Sequence, residues 1–528
     1  MSVKITINGM PVEAPEGALL IDVCRDNGID IPHFCYHPGL GPDGNCRMCQ
    51  VEFVSERGGR LAVSCKAVVA EGMQVLTHSE SAKRARASVE EMLLLNHPLD
   101  CPICDKAGEC TLQNYYMEHD LQPSRQNFTR VKKGKAIDLG PTMVLDQERC
   151  VLCDRCVRFL RDVAGDEQLY IAGRGHDAFI SAFPGQEVTS AYSLNTVDLC
   201  PVGALTSKDF RFATPTWYIR NTDSVCTTCA RGCNMQIQVM EERIVRMRPR
   251  HNPEVNGYWA CDEGRLDYKF VNEGRVEQPL VRREGRALEA SFEEALAEWR
   301  RILGYAPAGR AEGPAPVEAA MIASAHATLE ELYLLKKLAA RTGASFHVAR
   351  HLQDGEDDRL LRRADRHPNA RGAELLGLPV IDLRGEHAPE VSSLASAVRV
   401  LVGFHRRVSP AATALAANAA KLIVIDACQS ALTERADLVI PGLTFAEKDG
   451  LVVNFGGRVQ RLKSAVRGRR ESEWRLIDAL LASLDAGARA ASVAQVRAEI
   501  VEQVPAFSGA SLADVGRHGV QLAGAAVS

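Results

Sequence analysis

A chain of 528 residues is too long for one hydrophobic core and predicts several domains, with an ordinary globular composition of 46% hydrophobic and 25% charged residues. A net charge of −4 excludes the basic footprint of a nucleic-acid binder or of a protein drawn to an anionic membrane surface. No apolar run approaches the ~18 residues of a membrane helix, and Met1-Ser2-Val3-Lys4-Ile5 alternates like a strand rather than an export signal, so a soluble cytoplasmic chain is expected.

In chain order, residues 1–78 read as a small β-rich domain. Val3, Ile5 and Ile7 alternate, Asn8-Gly9 supplies a hairpin turn, and Val12 resumes the alternation. A short helix is predicted from Ala18 to a stop at Gly28, then strands at Cys49–Val54 and Arg60–Ser64. Ser81–Asn96 has a helical period, with Val89, Met92, Leu93 and Leu95 on one face, and Pro98 ends it. Residues 140–215 read as irregular and turn-rich, and 220–270 as short strands around cysteines. After about 280, helices (Phe292–Leu303, Leu329–Arg341, Ala411–Ala420) alternate with apolar strands (Ala319–Ala323, Arg399–Val402, Lys421–Ile425, Leu438–Ile440), which predicts α/β layers on a parallel sheet. Ala306–Pro316 reads as a loop or linker, and the Ala-, Gly- and Ser-rich last thirty residues or so as a poorly ordered tail.

The cysteines direct the functional reading. There are 17, and all but Cys428 lie at or before Cys261. Such clustering in a chain without an export signal points to metal or redox chemistry rather than disulfides. Cys35, Cys46, Cys49 and Cys65 bring three thiols from one Gly-rich loop and a fourth from a later strand, the logic of plant-type [2Fe–2S] sites with a longer first gap. Cys35-Tyr36-His37 is half of a Rieske motif, but Cys49 stands where the second His would be needed.

His97, Cys101, Cys104 and Cys110 form a second group. Three close thiols suit a [4Fe–4S] cube whose fourth ligand comes from elsewhere. Spacing alone leaves His97 open as ligand or capping residue, and leaves open a zinc site built of three cysteines and one histidine. Cys150, Cys153 and Cys156 with the distant Cys200-Pro201 match half of a bacterial ferredoxin motif, the tightest signal in the chain. Cys226, Cys229, Cys233 and Cys261 lack the final pair of a zinc ribbon, which favours [4Fe–4S] over zinc. Fifteen cysteines and His97 thus make four ligands for each of four clusters, leaving Cys24 and Cys428 as small buried residues. Gly173-Arg174-Gly175-His176-Asp177-Ala178 fits a dinucleotide fingerprint, but Pro184 interrupts the helix that should follow. No Ser, His or Asp constellation suggests a nucleophilic catalyst.

This succession of modules resembles the family of large iron–sulfur subunits of bacterial NADH:quinone oxidoreductase (respiratory complex I). The likeness covers roughly residues 1–275, with His97-Pro98-Leu99-Asp100-Cys101, Gly108-Glu109-Cys110 and Cys200-Pro201-Val202-Gly203-Ala204-Leu205. It implies that His97 is a ligand. It also implies an α+β first half: a β-grasp ferredoxin-like [2Fe–2S] domain (1–78), a [4Fe–4S] domain with one His and three Cys ligands (79–119), a ferredoxin-like [4Fe–4S] domain (120–218) and a molybdopterin-oxidoreductase-type [4Fe–4S] domain (219–275). The remainder (276–528) resembles a degenerate molybdopterin-oxidoreductase α/β domain, through Phe445-Ala446-Glu447-Lys448-Asp449-Gly450, Asn454 and Gly457-Arg458-Val459-Gln460, and is expected to be truncated. Glu263 stands where active relatives carry a Lys, and its negative charge is expected to oppose a pterin, so no molybdopterin and no catalytic site are expected on this chain.

The implied partners are an NADH-oxidising flavoprotein and other peripheral-arm subunits. The implied place is peripheral, on the cytoplasmic side of the plasma membrane. An electron carrier of an NAD-dependent formate dehydrogenase or hydrogenase and a non-redox zinc scaffold are the alternatives.

Overall fold

A computed structural model of the chain describes residues 1–56, 58–120, 123–305, 317–352, 357–383, 398–404, 408–468, 472–484 and 489–524. They belong to two compact units, Met1–Ile219 and Arg220–Ser528.

The first unit opens with a five-stranded sheet in the order Met10–Pro15, Ser2–Ile7, Gln74–Leu76, Gln50–Phe53, Arg60–Val63. Ser2–Ile7 and Gln74–Leu76 pair in parallel and the other neighbours antiparallel. The hairpin forms at Asn8-Gly9, both left-handed (φ 52° and 83°), as a tight two-residue turn requires. Ile5, Ile7, Leu20, Val51 and Val75 fill the core beneath the helix Leu20–Asp26, and Gly28 stops that helix at φ 73°.

The helix Glu80–Leu94 is capped by Ser79, which accepts from the Ala82 amide. Its inner face differs from the predicted one. Met92 is exposed, whereas Arg86 and Glu90 are buried with Ala82 and Val89. Arg86 is drawn inward because its guanidinium donates twice to the Gln50 carbonyl, at 2.8 and 3.2 Å.

Residues 140–215 hold more regular structure than predicted. Leu205–Ser207 and Met143–Leu145 pair beside Ile137–Asp138, and Arg155–Arg158 and Leu194–Leu199 are helical. The Gly173–Ala178 stretch is the turn of a hairpin joining Tyr170–Ala172 to Phe179–Ser181, not the start of a nucleotide-binding helix.

The second unit begins with an antiparallel sheet of Arg220–Val225, Asn234–Met240 and Arg243–Pro249. Beyond it lies an eight-stranded sheet, in the order Arg286–Glu289, Leu280–Arg283, Leu438–Pro441, Lys421–Asp426, Val398–Val402, Ala319–Ser324, Ser345–Arg350, Val380–Asp382. From Leu438–Pro441 to Val380–Asp382 every neighbouring pair is parallel, as the strand–helix alternation predicts. The hairpin Leu280–Glu289 adds an antiparallel edge. Phe292–Ile302, Leu329–Thr342 and Pro410–Ala417 are helical, close to their predicted spans.

The expected disordered tail is a correction. Val493–Gln503 is a helix, Phe507 is fully buried, and Val520–Gln521 pairs with Arg458–Val459 as the edge of a third sheet. Low-complexity composition misled here because Phe507, Leu512 and Leu522 still supply enough apolar surface to dock. Residues 525–528 and the predicted Ala306–Pro316 linker lie outside the described residues.

Candidate metal centres

In the first group the Cys35 thiol meets those of Cys46 and Cys65, and Cys49 meets Cys65. Gly41 (φ 71°), Gly44 (φ 84°) and Arg47 (φ 59°) bend the intervening loop. The bend turns the Gly44 amide onto Cys35 and the Met48 amide onto Cys46, while the Cys35 N–H donates to Cys46 Sγ at 3.4 Å. Hydrogen bonds from Cys46 and Cys65 hold the Cys35 thiol far below its ordinary value, and one from Cys65 brings Cys49 to about 7. The donors Cys46 and Cys65 are pushed up in turn. Crowded thiols with amides aimed at sulfur are a cradle for cysteinate ligands.

In the second group His97 follows the helix Glu80–Leu94. Burial, then the charge of Arg149, lowers its pKa to about 4, so the imidazole is neutral near pH 7, the form that ligates metal. Cys101 opens a single turn (Cys101–Ile103) and is exposed. Cys104 accepts from the Lys106 amide, and Cys110, at the start of the helix Thr111–Tyr115, accepts from the Leu112 and Gln113 amides. Burial raises the Cys110 thiol to about 11.

In the third group Leu152 (φ 51°) and Asp154 (φ 63°) are left-handed without being glycine. That conformation aims the Leu152 amide at Cys150 Sγ (3.4 Å) and the Arg155 amide at Cys153. Cys200 ends the helix Leu194–Leu199, and Pro201 prevents its continuation. The four cysteines line one small cavity with Leu145, Ile180, Pro201 and Val202. Burial raises Cys150 and Cys153 to about 12 and Cys156 well above the ordinary thiol value. Thiols so deeply desolvated give up their protons readily only to a bound metal, which is the chemistry this donor set fits.

In the fourth group all four cysteines are buried. The Cys226 N–H donates to the Cys233 carbonyl at 2.8 Å, and Cys261 caps the helix Asp262–Leu266 by accepting from the Gly264 amide at 3.3 Å. A Cβ on Gly264 would stand 2.9 Å from Cys226 Sγ and 3.3 Å from Cys261 Sγ, so only glycine lets the backbone approach both sulfurs. Asn454 and Gln460 brace the cysteine loop through the Arg231 and Gly232 carbonyls.

Glu263 does not carry the free negative charge expected of it. It pairs with Arg366 and lies 3.9 Å from Arg362, which removes the Coulomb argument against a pterin. The neighbouring motif residues face inward instead. Glu447 binds Arg275 at 2.6 Å, and Lys448 lies between Glu331 (2.9 Å) and Glu473 (3.1 Å).

Among the described residues no three His, Cys, Asp or Glu side chains converge as ligands of a single ion do. Round a [4Fe–4S] cube each ligand takes a different iron, and round a [2Fe–2S] cluster only two share one, so the four stand further apart than four thiolates round one zinc at about 2.3 Å. Cys24 is buried in the core that also holds Cys49 and Cys65, and Cys428 is buried in the second unit.

The first three groups adjoin in an order that spacing did not reveal. Asn45, beside Cys46, donates to the Leu152 carbonyl at 3.5 Å, and Arg158 donates to the Cys35 carbonyl, joining the first group to the third. A Cβ on Gly203 would stand 2.3 Å from Cys104 Sγ, and the Thr111 N–H donates to the Pro201 carbonyl at 2.9 Å, joining the third to the second. Arg149, Arg155 and Arg158 are residues that the sequence reading missed, and Gly203 entered it only as part of the Cys200–Leu205 motif. The arginines' only sequence signal is position, one or two residues from a cysteine.

Residues 1–80 match the family of 2Fe-2S iron-sulfur cluster binding domains, and 86–125 the NADH-ubiquinone oxidoreductase-G iron-sulfur binding region. Residues 140–206 match the ferredoxin-like domain of NADH-quinone oxidoreductase subunit 3. Residues 219–273 match the molybdopterin oxidoreductase Fe4S4 domain, and 402–482 the molybdopterin oxidoreductase family. An NADH-quinone oxidoreductase subunit of Rickettsia bellii is 36% identical over 344 residues, 65% of this chain and 49% of that protein. Subunit 3 of the Thermus thermophilus NADH-quinone oxidoreductase is 37% identical over 369 residues, covering 64% and 46%. A chain of an NAD+-reducing [NiFe]-hydrogenase is 32% identical, with 41% of this chain and 92% of that one covered and a TM-score of 0.37, too low to bear on the fold. The chain spans about half the length of the curated relatives it matches. Over the residues these comparisons match, the chain is similar to the large iron–sulfur subunits of NADH:quinone oxidoreductases.

Proposed function

We propose that this chain is the electron-relay subunit of an NADH:quinone oxidoreductase. In this reading Cys35, Cys46, Cys49 and Cys65 hold a [2Fe–2S] cluster. Three [4Fe–4S] clusters are held by His97, Cys101, Cys104 and Cys110; by Cys150, Cys153, Cys156 and Cys200; and by Cys226, Cys229, Cys233 and Cys261. The observation that carries it is the enclosed cavity lined by all four cysteines of the third group. Such clusters, when bound, supply reversible one-electron transfer. The protein's part is to fix spacing, exclude water and aim amide hydrogen bonds at the sulfurs, which set the potentials.

The adjacency of the groups supports a relay in the order first, third, second rather than chain order. Leu99 and Ile103 are exposed beside the exposed Cys101, which suits this edge for handing electrons to a partner. A flavoprotein that oxidises NADH would load the relay, and quinone reduction and any proton translocation would belong to other subunits. Among the described residues no helix is long and apolar enough to cross a membrane. The likeness to the NADH-quinone oxidoreductase subunits supports a peripheral place on the cytoplasmic side. The subunits that co-purify with it separate this reading from a formate dehydrogenase or hydrogenase carrier.

The full chain, purified anaerobically, should be brown and carry about 14 irons. Stoichiometric zinc with little iron would refute the assignment. Gly203→Ala should push the Cys104 sulfur aside and remove one [4Fe–4S] signal from the low-temperature EPR spectrum, with about four irons lost. An unchanged spectrum and iron count would remove Cys104 from the ligand set. The ion pairs that occupy Glu447 and Lys448 support a fold without pterin, so growth with molybdate should leave no molybdenum bound. Near-stoichiometric molybdenum with formate-dependent dye reduction would overturn that.

A further inference from the structure

Arg155 and Arg158 stand on the short helix Arg155–Arg158 that leaves the third cysteine group, and both are buried. Arg155 donates to the carbonyls of Tyr36 at 2.5 Å and Leu199 at 3.2 Å. Arg158 donates to the carbonyl of Cys35, and to those of Leu40 (3.4 Å) and Gly41 (3.3 Å). Two side chains thereby grip the loop of the first group and, through Leu199, the approach to Cys200. Every acceptor they use is a neutral backbone carbonyl. Among the described residues neither guanidinium makes an ion pair, and the Nε of each lacks a hydrogen-bond partner. Asp154 and Asp162 sense Arg158 only through space.

Two buried cations on neutral acceptors cost several kcal/mol unless negative charge stands close by. The groups on either side provide it when each holds iron on four thiolates, because such a centre is a net anion. We propose that Arg155 and Arg158 are positioning residues that form a cationic latch, holding the first and third groups in register and raising the reduction potential of the first by serving as its counter-charge. The latch rests on the ligand assignment above. Iron content keeps the two apart, since a chain without iron refutes the assignment, whereas a loaded chain with native potentials refutes the latch alone.

The experiment is a redox titration, followed by EPR, of the full iron-loaded chain carrying Arg158→Gln, Arg158→Lys or Arg155→Gln. Arg158→Gln should lower the reduced-to-oxidised ratio of the [2Fe–2S] centre roughly tenfold at fixed ambient potential, about 59 mV for one electron. The centre held by Cys226 to Cys261 should not move. Arg158→Lys keeps the charge but not the fork, so it should hold the potential near native while amide exchange in residues 35–46 speeds up. Native potential in Arg158→Gln overturns the latch, and so does an equal shift in the Lys and Gln variants. If Arg158→Gln takes up no iron, Arg155→Gln supplies the same reading. If neither Gln variant loads, native loading in Arg158→Lys upholds the need for charge, and failure of the Lys variant too assigns the site to packing and refutes the proposal.

Discussion

Cys153→Ala in the assembled oxidoreductase is expected to reduce NADH-to-quinone electron flow to background, while Cys229→Ala leaves most of the rate. Cys153 is buried in the cavity of the third group, which touches the first group through Arg158 and the second through Gly203. In the proposed assignment, losing one of four thiolates there removes the centre between the other two. Cys229 belongs to the fourth group, in the unit Arg220–Ser528, where the family likeness implies a side position. NADH oxidation by an artificial acceptor at the flavin should be normal in both variants, which separates a broken relay from failed assembly. Equal losses of quinone reduction would contradict the proposed order.

The cysteine spacing is what proposes the four groups, because a cluster of this kind calls for close thiols in one loop and a further ligand outside it, and few other chemistries do. Strand–helix alternation likewise announced the parallel sheet after residue 280. The failures share a cause: each depends on a partner distant in sequence. Arg86 reads as a surface charge in its helix, and only the Gln50 carbonyl explains its burial. Leu152 and Asp154 carry no mark of a left-handed conformation, which sulfur-directed amides impose on them. The first-to-third contact rests on Arg158 reaching a carbonyl 123 positions away, a separation no local pattern encodes. Glu263 misled for the same reason, since its partners Arg362 and Arg366 lie about a hundred residues on.

Lys448 should be the most costly single change in the second unit outside the cysteines. Its ammonium is buried between Glu331 and Glu473, at 2.9 and 3.1 Å. Glu331 also closes the capping box with Thr328 at the start of the helix Leu329–Thr342, and Glu473 accepts from the Leu443 amide at 3.2 Å. Lys448→Met therefore strands two carboxylates that the fold holds in place for other reasons, at a cost of about 3–5 kcal/mol. Against a usual domain stability of about 5–15 kcal/mol that is a large share, so amide exchange across the strand Ala319–Ser324 should accelerate at least a hundredfold.

The pH dependence has a definite sign. Burial alone would lower the Lys448 pKa, but the two glutamates outweigh it and hold it above the ordinary lysine value. Its contribution is thus complete below about pH 10.4 and fades only as the solution rises through the elevated value, so stability from this pair should be flat between pH 7 and 9. Adding Glu331→Gln and Glu473→Gln to Lys448→Met should recover much of the loss, because glutamine still serves the capping box and neutral side chains of similar volume leave no charge uncompensated. A single variant with native exchange rates would mean that water reaches this interior, and a triple variant no better than the single would shift the cause from charge to packing.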